Sequence, residues 1–198
     1  MPLHVSPAPA PALRSVLTAL GSPAAVHEAR TPALRVEPGS LAVAHPLPLH
    51  VLDHVTPRAG QAAAPITRLI GWRFLIVGAE HAVAAAEALL TPGGWAFSHF
   101  CEGPYVTSTE QALRRADALP TAYQPRLLSV PELYMLTLWL HRETADEPAG
   151  GPPAPADLLV PLAPAPPGIA ANRPHQVADL LPMLTLRLTP EPLLGTPA

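Results

Sequence analysis

Residues 72–119 read WRFLIVGAEHAVAAAEALLTPGGWAFSHFCEGPYVTSTEQALRRADAL, and the periodicity of this stretch decides what fold the chain can build. Trp72 to Val77 is an apolar run of strand length, and Gly78 is a turn residue. Ala79 to Leu90 is alanine-rich, which predicts a helix whose small side chains let it sit close to a sheet. After a loop at Thr91 to Gly94, Trp95 to Glu102 predicts a second strand. Alternation at period two puts Trp95, Phe97, His99 and Cys101 on one face and Ala96, Ser98, Phe100 and Glu102 on the other, so a central strand covered on both sides is expected. Gly103 and Pro104 end it, because proline cannot donate to a ladder. Two overlapping capping boxes, Thr107 with Glu110 and Ser108 with Gln111, then predict a helix. Its apolar stripe is Ala112, Leu113, Ala116 and Leu119, and Glu110 and Arg114 can pair at i, i+4 on the wet side. The run is therefore β-α-β-α.

Proline marks where this regular core lies. The chain has 29 prolines in 198 residues, and none falls between Ile66 and Thr91. Upstream, Met1 to Pro11 reads as a flexible Pro/Ala-rich lead. Leu13, Val16, Leu17 and Leu20 occupy i, i+3, i+4 and i+7 of a short helix with Gly21 as its C-cap, and such a stripe packs on its own core more often than in a partner's groove. Ala33 to Val55 mixes apolar residues with Pro, Gly and His, which predicts short edge-like pieces.

Downstream, the apolar run Leu133 to Leu140 is read as a strand with Asp157 to Leu162 as its antiparallel partner, although Ser129 and Glu132 offer a helical capping box around Pro131. The intervening residues 143–156 predict an exposed Pro/Gly-rich loop. A short helix is expected from about Pro174 to Leu181. Met183 to Leu188 then alternates as a last strand, with a kinked continuation of the helix as its competitor. The expected organisation is one α+β domain over residues 12–190. Its mixed sheet has the β-α-β-α run at 72–119, antiparallel strands after it and helices packed on the sheet, with a flexible tail at 191–198.

Composition excludes several functions. All twelve basic residues are arginine, so the phosphate-binding lysine of a P-loop and any Schiff-base lysine are absent. A chain rich in Ala, Pro, Gly and Arg suits a GC-rich bacterial genome. The net charge is −3 with no basic stripe, which argues against nucleic acid as a partner. One cysteine rules out an internal disulfide framework, and no leader peptide or uninterrupted apolar span of membrane length is apparent. A soluble, cytoplasmic protein is expected.

Three constellations carry chemistry. A nucleophilic Cys101 would need an imidazole or helix N-terminus beside it, and His99 is two residues away on the same expected strand face. Cα atoms at that spacing are about 6.6 Å apart and their side chains run side by side, so an inert, buried thiol is the ordinary reading. His81 and His141 are alternative partners brought in by the fold. Of the histidines His45, His50 and His54, with Asp53 between the last two, His50 and His54 would share a helical face and could hold a metal, but Pro46, Pro48 and Pro57 oppose the helix, no third ligand is marked, and no metal site is assigned. Gly78-Ala79-Glu80 has the order of a dinucleotide turn without its further glycines, and Glu80 would meet the pyrophosphate, so no cofactor is assigned. The motifs GxSxG, HExxH and CxxC are missing. The leading expectation is a non-catalytic protein-interaction or assembly module with a protein partner or self-association. The alternative is a small cytoplasmic enzyme using Cys101 with His99 as its catalytic pair.

Overall fold

A computed structural model describes residues 3–28, 31–36, 40–52, 65–145 and 150–188. Its strands are β1 (Ala42–Leu52), β2 (Thr67–Val77), β3 (Ala82–Thr91), β4 (Gly94–Cys101), β5 (Gln124–Val130), β6 (Met135–His141), β7 (Leu158–Pro161) and β8 (His175–Gln176). Its helices are α1 (Ala10–Leu20), α2 (Pro23–Glu28), α3 (Ala33–Val36), α4 (Pro104–Asp117) and α5 (Val177–Leu188). The strands join into one eight-stranded sheet in the order β4-β3-β2-β1-β5-β6-β7-β8. Only β1 and β5 pair in parallel; every other neighbour is antiparallel. The fold is α+β with a mixed sheet and helices packed on it.

Helix α4 covers one face through Val106, Ala112, Leu113 and Ala116, which pack with Leu47, Leu75, Ala85, Leu127 and Leu138. The opposite face is shared. Helix α1 seals Trp72, Phe74, Ile76 and the β3 residues Ala84, Ala86 and Ala88 through Ala12, Val16 and Ala19, and α5 seals Leu128, Trp139 and Leu159 through Val177, Leu180, Leu181 and Leu184. Helix α1 thus packs on its own core, but of the expected stripe only Val16 is fully buried; Leu13 and Leu20 are partly buried and Leu17 is exposed. The lead runs against the fold, with the Leu3 N–H donating to Asp117 Oδ1 and the His4 N–H to the Tyr123 carbonyl.

The expected helix at Ala79 to Leu90 is a strand, so the 72–119 run is β-β-β-α. Residues 78–81 form a tight turn in which the Gly78 N–H donates to the His81 carbonyl at 3.0 Å, and Pro92-Gly93 closes a second hairpin in which Thr91 pairs with Gly94. With β2 and β4 on either side, every β3 residue except Val83, which falls in a register shift, has a ladder partner. Alanine's helix preference, worth only tenths of a kcal/mol per residue, is overridden by that pairing. Alternate alanines face α1 and α4, and their small size lets both helices approach.

Three other expectations change. Segment 42–52 is a long central strand, not a set of edge pieces. Pairing to β5 begins at Leu49, past Pro46 and Pro48, so neither proline removes a donor from that ladder. Strand β4 lies at the sheet edge instead of the centre. Met183 to Leu188 continues α5 through Pro182, because Val177, Leu180, Leu181 and Leu184 recur at helical spacing and are all buried.

Other readings hold. Met135–His141 is a strand paired with Leu158–Pro161, and Glu110 pairs with Arg114 at 2.7 Å. Helix α4 starts at Pro104, ahead of both capping boxes, with Gly103 at φ 111° as its N-cap residue. Proline's preference for the first helical position decides that start, and the Ser108 hydroxyl donates instead to Asn172 Oδ1. Part of the 143–156 loop is pinned by a mutual backbone bridge between Thr67 and Gly151. The 191–198 tail lies outside the described residues. No helix among the described residues is long and apolar enough to cross a membrane.

Candidate functional site

Cys101 ends the edge strand β4, opposite Ala85 of β3, and His99 is paired with Glu87. Between His99 and Phe97 the register slips by one residue, because Phe97 pairs with Ala88 while Glu87 pairs with His99. Ser98 is the extra residue, a β-bulge. Without it Phe97 and Phe100 would point to opposite faces; with it their rings pack together, centroids 4.7 Å apart, on the α1 side. Cys101 belongs to the α4 face, half-buried, and His99 shares the face of Glu87. The expected grouping of Trp95 and Phe97 with His99 and Cys101 is thereby split, and the thiol is not enclosed by phenylalanine.

Glu87 completes a cluster. Its carboxylate is buried, and Oε1 accepts from Arg73 Nε at 2.8 Å and from Arg73 Nη2. Oε2 faces His99 Nε2 at 3.9 Å, and His99 Nδ1 is 3.1 Å from the Ser98 hydroxyl. One ligand atom each of Glu87, His99 and Cys101 lies within 4.8 Å of the others. Burial pushes the Cys101 thiol pKa up, Arg73 and the Ala85 backbone oppose that rise, and Glu87 adds to it. The thiol is therefore held protonated, which is unfavourable for a free nucleophile.

The remaining candidates do not converge on Cys101. His81 sits in the β2–β3 turn and lines a depression of about 420 Å³ with Glu102, Gly103 and Thr107. His141 lies on β6, where its Nδ1 is 2.9 Å from Asp157 Oδ2. Of the histidine set, His45 is an exposed residue at φ 45° in a β1 bulge, His50 is fully buried, and His54 with Asp53 lies outside the described residues. Along a strand, His45 and His50 are roughly 16 Å apart at about 3.3 Å per residue, so they do not share a site. Gly78-Ala79-Glu80 leads into a strand, which removes the helix N-terminus a dinucleotide would need.

Two buried polar groupings escape sequence reasoning. Asp157 is fully buried and accepts from Trp139 Nε1 at 2.7 Å, the Arg142 N–H at 3.0 Å and the Ala154 N–H at 3.0 Å, besides its His141 contact. It ties both ends of the 143–156 loop to the sheet. His50 packs edge-on against Trp139 at 5.1 Å, and neither ring nitrogen has a hydrogen-bond partner among the described residues. Burial, then the nearby Arg126 and His141, depress its pKa to about 3. A run of alternating residues beside prolines gives no hint of either grouping.

Comparison with protein families, with curated proteins and with solved structures finds no match to this chain. The site must be interpreted from its own geometry.

Proposed function

We propose that the chain is a non-catalytic assembly module of a bacterial cytoplasm that self-associates through the edge of β4. One observation carries this reading: β4 is an eight-residue strand at the end of the sheet, and its outer side has no strand partner among the described residues. Such an edge presents unpaired N–H and C=O groups to a second strand. Soluble proteins usually guard an edge of this length with charge, proline or a bulge, and β4 carries only the bulge at Ser98. GWAFSHFC contains neither a lysine, an arginine, a carboxylate nor a proline, so two copies can pair antiparallel without like charges meeting. The far edge, β8, is only two residues long and offers no comparable surface.

The test is oligomeric state by sedimentation, with wild type against Ala96→Lys/Ser98→Lys, two exposed edge positions. A wild-type dimer that dissociates in the variant, with circular dichroism unchanged, supports the reading. A wild type that stays monomeric at the highest soluble concentration overturns it.

A second reading is favoured by one contact, the closeness of His99 to Cys101: a small enzyme with Cys101 as nucleophile. It needs a thiolate, which burial opposes. Alkylation of native Cys101 faster than in the unfolded chain supports it, and slower alkylation removes it.

A further inference from the structure

We propose that Glu87, His99 and Cys101 form a zinc-binding site at the β3–β4 edge, with three protein ligands and an open fourth position. The donor set is chemically apt, since thiolate, imidazole and carboxylate are the three side-chain ligands zinc takes. Their ligand atoms already lie within 4.8 Å of one another. A tetrahedral site with bonds of about 2.0–2.3 Å needs ligand separations of roughly 3.3–3.8 Å. Closing the cluster therefore takes a movement of about 1 Å, within the reach of side-chain rotation on an edge strand.

What distinguishes this group from a chance cluster is the support behind two of its ligands. Arg73 occupies Oε1 of Glu87 and leaves Oε2 directed at His99. The Ser98 hydroxyl meets His99 Nδ1, which leaves Nε2 as the free donor. Outer-shell contacts of this kind, one to the carboxylate and one to the far nitrogen of the imidazole, orient ligands in metal sites. The bulge at Ser98 supplies the second contact and keeps His99 in register with Glu87. Binding displaces the thiol proton to solvent and forms a Zn–S bond; no redox partner is involved.

The site does not depend on self-association, and its test reads metal binding alone. Untagged, reduced protein is titrated with Co²⁺ and then with Zn²⁺. The expected result is a near-ultraviolet thiolate-to-cobalt absorption band at one equivalent, displaced by zinc. The band should be absent from Cys101→Ser, and affinity should fall at least about tenfold in His99→Gln, the lower bound for disturbing even an outer-shell partner. As a check that needs no variant, Zn²⁺ should slow alkylation of Cys101 in the wild-type protein. Cobalt binding without the thiolate band, an unchanged affinity in His99→Gln, or alkylation indifferent to zinc would each overturn the proposal.

Discussion

His50 should make the fold acid-sensitive, and replacing it should remove that sensitivity. Its imidazole is fully buried with both nitrogens unpartnered among the described residues, and its pKa falls from 6.5 to about 3. The folded state therefore keeps His50 neutral, while the unfolded chain takes up a proton as pH drops through 6.5. Stability from this residue is intact above pH 6.5, declines below it, and levels off near pH 3, where the folded form also protonates. At 1.36 kcal/mol per pH unit, the loss reaches about 2 kcal/mol at pH 5. In His50→Leu the titrating group is gone. At pH 8 the variant also sheds the desolvation of two unpaired nitrogens, about 1–3 kcal/mol, against the lost ring contact with Trp139, about 0.5–1.5 kcal/mol, so its stability should equal or slightly exceed wild type. Urea unfolding of both proteins at pH 8 and pH 5 measures the difference. A gap that widens by about 2 kcal/mol in favour of the variant at pH 5 is expected. An equal gap at both pH values refutes the reasoning, as would a His50 resonance titrating near its ordinary value in the native protein.

Asp157→Ala leaves the donors at Trp139, Arg142 and Ala154 without their acceptor and should cost about 3 kcal/mol or more, with hydrogen exchange quickening at Arg142 and Ala154 before the rest of the sheet. Gly71→Ala places a Cβ 2.6 Å from the Ala88 carbonyl oxygen, so β2 and β3 must separate; a loss of about 1–3 kcal/mol in chemical denaturation is expected. Leu184→Ala removes a fully buried contact of α5 and should cost about 2–5 kcal/mol, whereas the exposed neighbour Leu186→Ala should change stability by less than about 0.5 kcal/mol. If the two costs were equal, the burial assigned to the second half of α5 would be wrong.

The elements legible in the sequence were those whose signal is local. WRFLIV and LYMLTLWL are apolar runs bounded by turn residues; the first lies in β2 and the second in β6 from Met135 on, with Leu133 and Tyr134 in the turn before it. The α1 stripe and the helix after Gly103 follow helical spacing, and both are helices. The misreadings arise where a distant partner overrides local preference. AVAAAEALL has neither alternation nor β-branching except Val83, because both its faces are covered and the helices demand small side chains. The one local signal for a strand there is the pair of turns at Gly78 and Pro92-Gly93, which bracket a segment of hairpin length. In β1 the prolines disguise a central strand: the β5 pairing starts past both, and Pro46 falls in a register shift of the β1–β2 ladder. Glu87 was invisible as a site residue for the same reason as β3: in a helix it is an isolated acid, and only the β3–β4 register brings it to His99.

The bulge at Ser98 connects the fold to the site. Uninterrupted alternation would force a choice at β4: either Trp95 and Phe97 face α1 and Phe100 does not, or the reverse. One inserted residue lets all three join the same apolar cluster, and in doing so fixes the opposite face as His99 and Cys101. The polar cluster is thus set by where the aromatics must go. Burial of rings contributes on the order of kcal/mol each, so apolar packing favours this register and the Glu87–His99–Cys101 grouping follows its geometry. A bulge also twists an edge strand and interrupts its ladder, which limits the length over which a second strand can pair. Under the proposed self-association, a second β4 strand would engage one side of Ser98 more fully than the other. The lysine substitutions at Ala96 and Ser98 bear on the N-terminal segment and the bulge itself, and the second also removes the hydroxyl beside His99 Nδ1.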